Sequence, residues 1–269
     1  MKLLVVKVGG SLFSDKRRAR TLDETALDAY AAAIAELARL APGRVVFVSG
    51  GGAFGHDAVR VLDPGDPDAA LPLTEAVFAL KWRWTEALRA HGCRALPLQA
   101  TSLAYRHDGR LQIHAGAVAG LLADGILPVL SGDAIGGDGR LEVVGSDRVA
   151  GLLLGLAPGA VRVAMLTDVP GVLTDGRGGS RVLREVDPDH PERALAAVWE
   201  TPAWDTSRSM DGKLAAAIEL ARGGAECLIM AGEPRPQLLR LLLEPCERWP
   251  RSVRYTRISR AAAGAAAAG

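Results

Sequence analysis

The chain has 269 residues, which is enough for one large domain or two closely packed lobes with a substantial core. Hydrophobic residues make up 49% and charged residues 23%, a composition typical of globular proteins and not of disordered or fibrous ones. With 32 basic and 31 acidic residues the formal net charge is +1, which excludes a strong overall field for nucleic acid or an anionic membrane. Any specificity for anions must therefore be local.

The cysteines and the amino terminus indicate a cytoplasmic protein. Cys93, Cys227 and Cys246 are far apart and form no CxxC pair, so we expect buried free thiols and neither a disulfide framework nor a zinc site. The apolar run Leu3 to Val6 is too short for a signal peptide. Longer apolar stretches are interrupted by charged residues, proline and glycine, so we expect no membrane span.

Short β-branched runs alternate with helical patterns along the first half of the chain, and glycines mark the turns. In chain order we predict a strand Leu3 to Val8, a helix from Asp23 to Leu40, a strand Val45 to Ser49, a helix after GGGAFGH, a helix Leu73 to His91, a strand Arg94 to Leu98, a hairpin Leu103 to Ile113 turned at His107 to Arg110, a strand Ile126 to Leu130, and a second hairpin turned at Gly136 to Gly139.

The second half continues the same rhythm. We predict a helix Arg148 to Leu156, a strand Val161 to Thr167, a glycine-rich hairpin region, a helix Lys213 to Arg222 and a strand Glu226 to Met230. Strands separated by helices imply a mainly parallel sheet, hence an α/β fold. Residues 261–269, AAAGAAAAG, are of low complexity and are expected to form a flexible tail.

Two junctions between a strand and a glycine run carry the functional signal. KVGGS, Lys7 to Ser11, ends the first strand, and GGGAFGH, Gly50 to His56, follows Val45 to Ser49. Alone, each is typical of a tight turn, and a single His56 is more often structural than functional. Together, at the carboxyl ends of neighbouring parallel strands, they would face one crevice where backbone N–H groups meet an anion.

Further polar motifs have an ordinary interpretation when each is taken alone. Ser146 and Asp147 suit a helix N-cap, and Asp168 begins a simple glycine-punctuated loop. Lys213 at the start of a helix opposes the helix dipole, which favours an anionic partner, although an exposed lysine there is often only solvated. Trp82 and Trp84 lie on different faces of their helix, so we expect one in the core and the other at an interface or lid.

In their order and separation, KVGGS, VSGGGAFGH, GSD, LTDVPGVLTD and MDGKL resemble the amino acid kinase superfamily over essentially the whole chain. The histidine that closes GGGAFGH is the feature of the branch with isopentenyl phosphate kinases and fosfomycin resistance kinases. Further stretches, among them KVGGSLFS, KWRW, LPVL-x-GDA, SDRV and RGGAECLIM, look like the fosfomycin resistance kinases. The resemblance implies a three-layer αβα sandwich around a long, mainly parallel sheet, with an acceptor lobe at 1–158, a nucleotide lobe at 159–260 and a homodimer formed through a helix and a hairpin of the first lobe.

The resemblance also implies roles for matching residues. Lys7, Lys16 and Lys213 would bind the phosphates of ATP, and Asp147 would organise Lys7 and Lys213 by ion pairing. Gly9, Gly10 and Ser11 would hold the transferring phosphate. The acceptor would lie against Gly51, Gly52, His56, Gly145, Ser146 and Ser207, and the nucleotide against Thr167, Asp168, Gly171 and Asp175. Mg²⁺ would be held mainly through the nucleotide phosphates, with no protein metal ligand assigned.

The acceptor is the point left open by the sequence. The first hypothesis for the acceptor is a phosphonate such as fosfomycin, and the alternative is isopentenyl phosphate. The five-carbon tail of isopentenyl phosphate would need an apolar tunnel behind His56, lined by the helix Leu73 to Leu88. That helix carries Lys81 and Arg83, which favours a polar acceptor. Gly145 stands where the fosfomycin resistance kinases have a serine, and Ser207 where they have a threonine, so the acceptor side has lost atoms. A non-catalytic nucleotide sensor or storage protein is the third hypothesis.

Overall fold

The computed structural model describes residues 2–15, 18, 20–60, 63, 66–176, 179–198 and 209–260. Its strands are β1 Leu3–Val8, β2 Val45–Ser49, β3 Ala95–Pro97, β4 Ala104–His107, β5 Arg110–Ile113, β6 Leu127–Ser131, β7 Asp133–Gly137, β8 Arg140–Val144, β9 Val161–Thr167, β10 Glu185–Val186, β11 Glu226–Ala231 and β12 Tyr255–Ile258. Its α-helices are α1 Glu24–Leu40, α2 Gly52–Arg60, α3 Leu71–Ala90, α4 Gly116–Ala123, α5 Glu192–Ala196, α6 Ser209–Arg222 and α7 Pro236–Arg240. Short 3-10 helices include Gly10–Leu12 and Val149–Leu156.

A long sheet forms the centre of the molecule, in the order β10-β12-β11-β9-β1-β2-β6-β3. The pairs from β11 across to β3 are parallel, and only the β11–β12 pair in this sheet is antiparallel among the described strands. β1 pairs with β9, so the sheet continues across residue 158 without a break. A smaller sheet, β5-β4-β7-β8, stands beside it.

Alternation along the strands divides the apolar residues between two cores. Leu4, Val6 and Val8 of β1 face one core, together with α1, α3 and α7. Leu3 and Val5 face the other, together with α6 and the 3-10 helix Val149–Leu156. Because successive side chains of a strand point to opposite faces, both faces of the sheet are covered. The predicted three-layer αβα fold is therefore confirmed.

Most predicted elements occur within two residues of their expected bounds, and the differences have local causes. The helix predicted to open at Lys213 begins at Ser209, so Lys213 lies one turn inside α6. The helix predicted after GGGAFGH begins within it, at Gly52. The segment predicted as helix Arg148 to Leu156 forms a 3-10 helix, Val149–Leu156. The short elements α4, α5, α7, β10 and β12 were not predicted, since they lack a long apolar period.

The two predicted hairpins are confirmed, and they brace each other at their tips. The Asp138 carboxylate accepts hydrogen bonds from the N–H groups of Asp108 and Gly109, at 2.9 and 3.0 Å. Cys227 and Cys246 are buried free thiols, as expected, whereas Cys93 is partly exposed. Within the described residues no helix has the length and apolar character needed to cross a membrane.

Candidate functional site

The strands at the centre of the sheet end at one level. Val8 pairs with Ser49 on one side and with Leu166 on the other, and Ser49 pairs with Ser131. Consequently the segments that follow β1, β2, β6 and β9 all leave the sheet at the same edge. This edge is where open α/β sheets bind their ligands, and it gathers most of the residues singled out in the sequence.

The two glycine junctions touch each other through their backbones. A Cβ atom on Gly10 would lie 2.5 Å from the Cα atom and 2.5 Å from the N atom of Gly52. No side chain therefore fits at position 10. Gly52 also has a φ of +51°, a left-handed conformation that costs glycine little. KVGGS and GGGAFGH are therefore not two separate turns but the two halves of one backbone contact.

A serine that the sequence analysis did not single out joins these halves. The Ser14 hydroxyl donates to the carbonyl oxygen of Gly10 at 2.8 Å and accepts from the N–H of Ala53 at 3.0 Å. Ala53 is the second residue of α2, so Ser14 satisfies one of the N–H groups that a helix leaves open at its start. Its position four residues after Gly10, in KVGGSLFS, is the sequence signal for it.

Some of the glycine amides at this edge are already hydrogen-bonded to neighbouring strands. The Gly9 N–H donates to Leu166 O at 2.9 Å, and the Gly50 N–H donates to Val8 O at 2.8 Å. By contrast, Gly10 and Ser11 begin the 3-10 helix and Gly52 begins α2, where the first N–H groups have no acceptor within their own helix. Contact of Gly9, Gly10, Ser11 and Gly52 with phosphate stays a prediction.

His56 is the fifth residue of α2 and lies one turn from the Gly10–Gly52 contact. Its relative exposure to solvent is only 9%. Behind it α2 packs on α3. A Cβ atom on Gly55 would lie 3.8 Å from Val77 Cγ1 and 3.9 Å from Leu73 Cδ1, which is ordinary van der Waals contact. Ala58, Leu73, Ala76 and Val77 form a small buried apolar cluster there. The wall behind His56 is thus apolar, with room for a methyl group between Gly55 and α3.

Lys7 forms an ion pair with Asp147 at this edge, with 2.5 Å between Nζ and Oδ1 and side-chain exposures of 5% and 16%. Asp147 belongs to a turn closed by the hydrogen bond from Arg148 N to Gly145 O, at 2.9 Å. Arg148 in turn pairs with Glu219 of α6 at 3.1 Å, which links this turn to the helix that carries the buried Lys213. The ion pairing expected of Asp147 is thus present for Lys7.

Gly145 and Ser146 stand against the end of β6. A Cβ atom on Gly132, the residue after β6, would lie 2.7 Å from Ser146 N, so the two segments touch. A side chain at position 145 would enter open space, because no atom of a described residue other than its chain neighbours lies within 4 Å of its Cβ position. Packing therefore does not require glycine at this position.

The nucleotide-side residues divide into two groups. Thr167 ends β9, and its hydroxyl donates to the Asp168 carboxylate at 3.0 Å at the functional edge.

Gly171 belongs to the second group and packs against β12, where a Cβ atom would lie 2.7 Å from Thr256 Oγ1. Asp175 accepts hydrogen bonds from the N–H groups of Ser180 and Arg181, which lower the pKa of its carboxyl. Gly171 and Asp175 thus have structural contacts that the sequence did not predict, and their contact with nucleotide stays a prediction. Lys16 and Ser207 lie outside the described residues.

A buried ion pair close to this edge was also missed. Lys81 and Asp133 are both fully buried, with 3.7 Å between Nζ and Oδ2. Burial lowers the pKa of Lys81 from 10.5 to about 8, although Asp133 opposes this effect. Arg83 lies at the surface and pairs with Glu24. Lys81 and Arg83 are therefore paired elsewhere and do not support the polar acceptor that their presence on this helix was expected to favour. The spacing of Lys81 from Val77 and Trp84 on the core face could have signalled its burial.

Comparison with known proteins agrees with this geometry. The profile described as "Amino acid kinase family" matches residues 2–231. The chain belongs to the amino acid kinase family. An isopentenyl phosphate kinase of Haloferax volcanii is 40% identical over 180 residues, which cover 64% of this chain and 72% of that protein. An acetylglutamate kinase of Gluconobacter oxydans is 32% identical over 110 residues, covering 41% of this chain and 34% of that protein.

Among solved structures, one described as isopentenyl phosphate kinase superposes with a TM-score of 0.71 at 25% identity, covering 95% of this chain and 99% of the other. Carbamate kinase from Giardia lamblia bound to AMP-PNP gives 0.65 at 14% identity, covering 96% and 98%, which is a likeness of fold alone. These relatives are kinases, so the predicted enzyme class, a phosphotransferase, is confirmed.

Proposed function

We propose that this protein transfers the γ-phosphoryl group of ATP to a phosphonate oxygen of a small acceptor, and that fosfomycin is this acceptor. The observation that carries the proposal is the contact between Gly10 and Gly52. It brings the amides of the first glycine junction beside the helix that carries His56. A transferring phosphate and an acceptor anion held at these two places are neighbours at one edge of the sheet.

The residues present suit transfer between two anions. A phosphonate or phosphate monoester has a second pKa of about 6, so its oxygen is already a nucleophile at neutral pH and needs no general base. The main obstacle is repulsion, which positive charge and positioned N–H donors reduce. In this proposal Lys7, Lys16 and Lys213 stabilise the phosphates of ATP, Asp147 orients Lys7, and His56 donates to the acceptor. Mg²⁺ enters with ATP and is held mainly through its phosphates.

A small acceptor suits the limited space behind His56. A Cβ atom added to Gly55 would lie at van der Waals distance from Leu73 and Val77, so α2 and α3 leave room for a methyl group at this point, and the side chains around it are buried. Fosfomycin has a short carbon skeleton and needs no hydrocarbon tunnel. The resemblance of KVGGSLFS, SDRV and RGGAECLIM to the fosfomycin resistance kinases supports the same acceptor.

Isopentenyl phosphate is the second candidate. It is favoured by the 40% identity to the Haloferax volcanii enzyme and by the apolar character of the α2–α3 wall. The pairing of Lys81 with Asp133 and of Arg83 with Glu24 also takes away the argument for a polar acceptor that these charges had provided. Both candidates require the same chemistry, which is formation of a P–O–P anhydride.

The test is ADP release with fosfomycin, isopentenyl phosphate, N-acetylglutamate and carbamate as separate acceptors, with the product identified by ³¹P NMR. We expect two coupled phosphorus signals with fosfomycin, and faster turnover of it by Gly145→Ser, which has room for the added hydroxyl. If isopentenyl phosphate alone were turned over, fosfomycin would be wrong as the acceptor, but the proposed reaction would stand. Turnover of the carboxylate or carbamate alone contradicts the proposal, as does ATP binding without any turnover, which would indicate a nucleotide sensor.

We further propose that the protein is a cytoplasmic homodimer. Exposed apolar side chains lie on α3, at Phe78 and Trp82, and on the hairpin β4–β5, at Tyr105 and Ile113. A helix and a hairpin of the first half are the elements expected at such an interface. Sedimentation velocity should give twice the mass of one chain, and a monomer across the micromolar range would contradict this proposal.

A further inference from the structure

The Lys81–Asp133 pair is more elaborate than an isolated buried ion pair. Lys81 Nζ donates to Leu98 O at 2.8 Å and also to Gln99 Oε1. The two Asp133 oxygens accept from the Thr74 hydroxyl at 2.9 Å and from the Ala100 N–H at 3.1 Å. Three elements are joined in this way: α3, the segment after β3, and the first residue of β7.

Stability is a poor reason for such an arrangement. Removing two charges from water costs several kcal/mol per ion, and well-packed apolar residues of similar volume often replace a buried pair without loss. The transfer chemistry uses neither residue. What the network does provide is one defined geometry, because every partner must be in place for the charges to be satisfied.

The joined elements form the two sides of the acceptor site. On one side, α3 packs through Leu73 and Val77 against Gly55, next to His56. On the other side, Asp133 directly follows Gly132, which touches Ser146. The buried pair therefore connects the His56 wall to the Ser146 wall from behind.

We propose that Lys81 and Asp133 are positioning residues, which fix the distance between the wall that carries His56 and the wall that carries Gly145 and Ser146. Neither touches the acceptor. They set how well an acceptor anion is held between the two walls and leave the binding of ATP unchanged. The kinetic part of this inference rests on the proposed function.

Two variants test the network, each with a matched control. Lys81→Met removes the charge from the buried pair, and Arg83→Met removes the exposed pair with Glu24 from the same helix. Thr74→Val removes one donor to Asp133 without a change of charge, and Thr74→Ser keeps that donor. We expect Lys81→Met to raise the KM for the acceptor roughly tenfold or more, because small displacements at a reacting centre are costly. The KM for ATP should stay within about twofold, because the network lies behind the two walls of the acceptor site. A loss of binding for both substrates would instead indicate a general defect.

A second readout does not depend on turnover. The chain has five histidines, and in Lys81→Met and Thr74→Val we expect the ring NMR signals of His56 to shift while those of the other four stay. Arg83→Met and Thr74→Ser should match the native protein in both readouts. If the native protein used neither fosfomycin nor isopentenyl phosphate, the proposed function would fail, yet a shifted His56 signal would still support the positioning role. Equal changes in both KM values, or an unshifted His56 signal in folded Thr74→Val, overturn it.

Discussion

Ser14 shows how one hydroxyl can connect two parts of a site. It binds a carbonyl of the first glycine junction and an N–H at the start of α2, so it fixes the place where Gly10 and Gly52 meet. Glycine allows that approach but does not hold it, because it has no side chain to make a bond. Ser14 therefore helps to hold the two junctions together, in addition to the Gly50 N–H bond to Val8 O.

Ser14→Ala should lower the free energy of unfolding by about 1 kcal/mol, the usual cost of losing a helix cap. It should also lower kcat by roughly tenfold, because the phosphate and the acceptor are no longer held in register. Urea unfolding and steady-state kinetics measure the two effects. Ser102→Ala, a change at an exposed serine, is the control. A loss of stability with unchanged kcat would show that Ser14 is only a cap.

At the scale of elements, one carboxylate holds the opposite edge of the sheet together. Glu226, at the start of β11, lies 2.6 Å from Lys2 Nζ, 2.8 Å from Arg162 Nε and 2.8 Å from Arg257 Nε. Burial alone would raise the pKa of the Glu226 carboxyl, but the hydrogen bonds and charges of Lys2 and Arg162 outweigh burial and lower the pKa from 4.5 to about 2. Arg162 also donates to the carbonyls of Leu242 and Glu244, which fastens the carboxy-terminal segment to the sheet.

Glu226→Gln should therefore cost about 3 kcal/mol of the free energy of unfolding at pH 7. Because the folded pKa is the lower one, this stabilisation is complete above pH 4.5 and is lost as the pH falls towards 2. The difference between native protein and variant should shrink over that window in urea unfolding experiments. Glu247→Gln, which removes the exposed partner of Arg257, serves as the control and should cost less. A difference that does not change with pH would contradict the assignment.

For the whole molecule, strands of β-branched residues and glycine turns were enough to predict a mainly parallel sheet in an α/β fold, since these signals are local, whereas the three-layer αβα arrangement was implied by the family resemblance. Val161–Thr167 was predicted to the residue. Local signals also placed Gly10, Gly52 and His56 at one edge. They did not reveal that Gly9 N–H is already bonded to Leu166, that Gly171 packs on Thr256, or that Asp133 is the partner of Lys81. Each of these depends on a partner more than 15 residues away, which no window of sequence contains.

In the proposed function, His56 binds the acceptor and Lys213 binds ATP at one shared edge of the sheet. The direct test is His56→Ala, with the phosphoryl-transfer rate and the affinity for a non-hydrolysable ATP analogue measured on the same protein. Lys213→Ala is the opposite case, because Lys213 is assigned to the phosphates of ATP. We predict that His56→Ala lowers transfer by a factor on the order of one hundred, as expected for loss of a donor to a reacting anion, and leaves nucleotide affinity within about twofold. Loss of nucleotide binding in His56→Ala, or transfer at the native rate, would contradict the assignment.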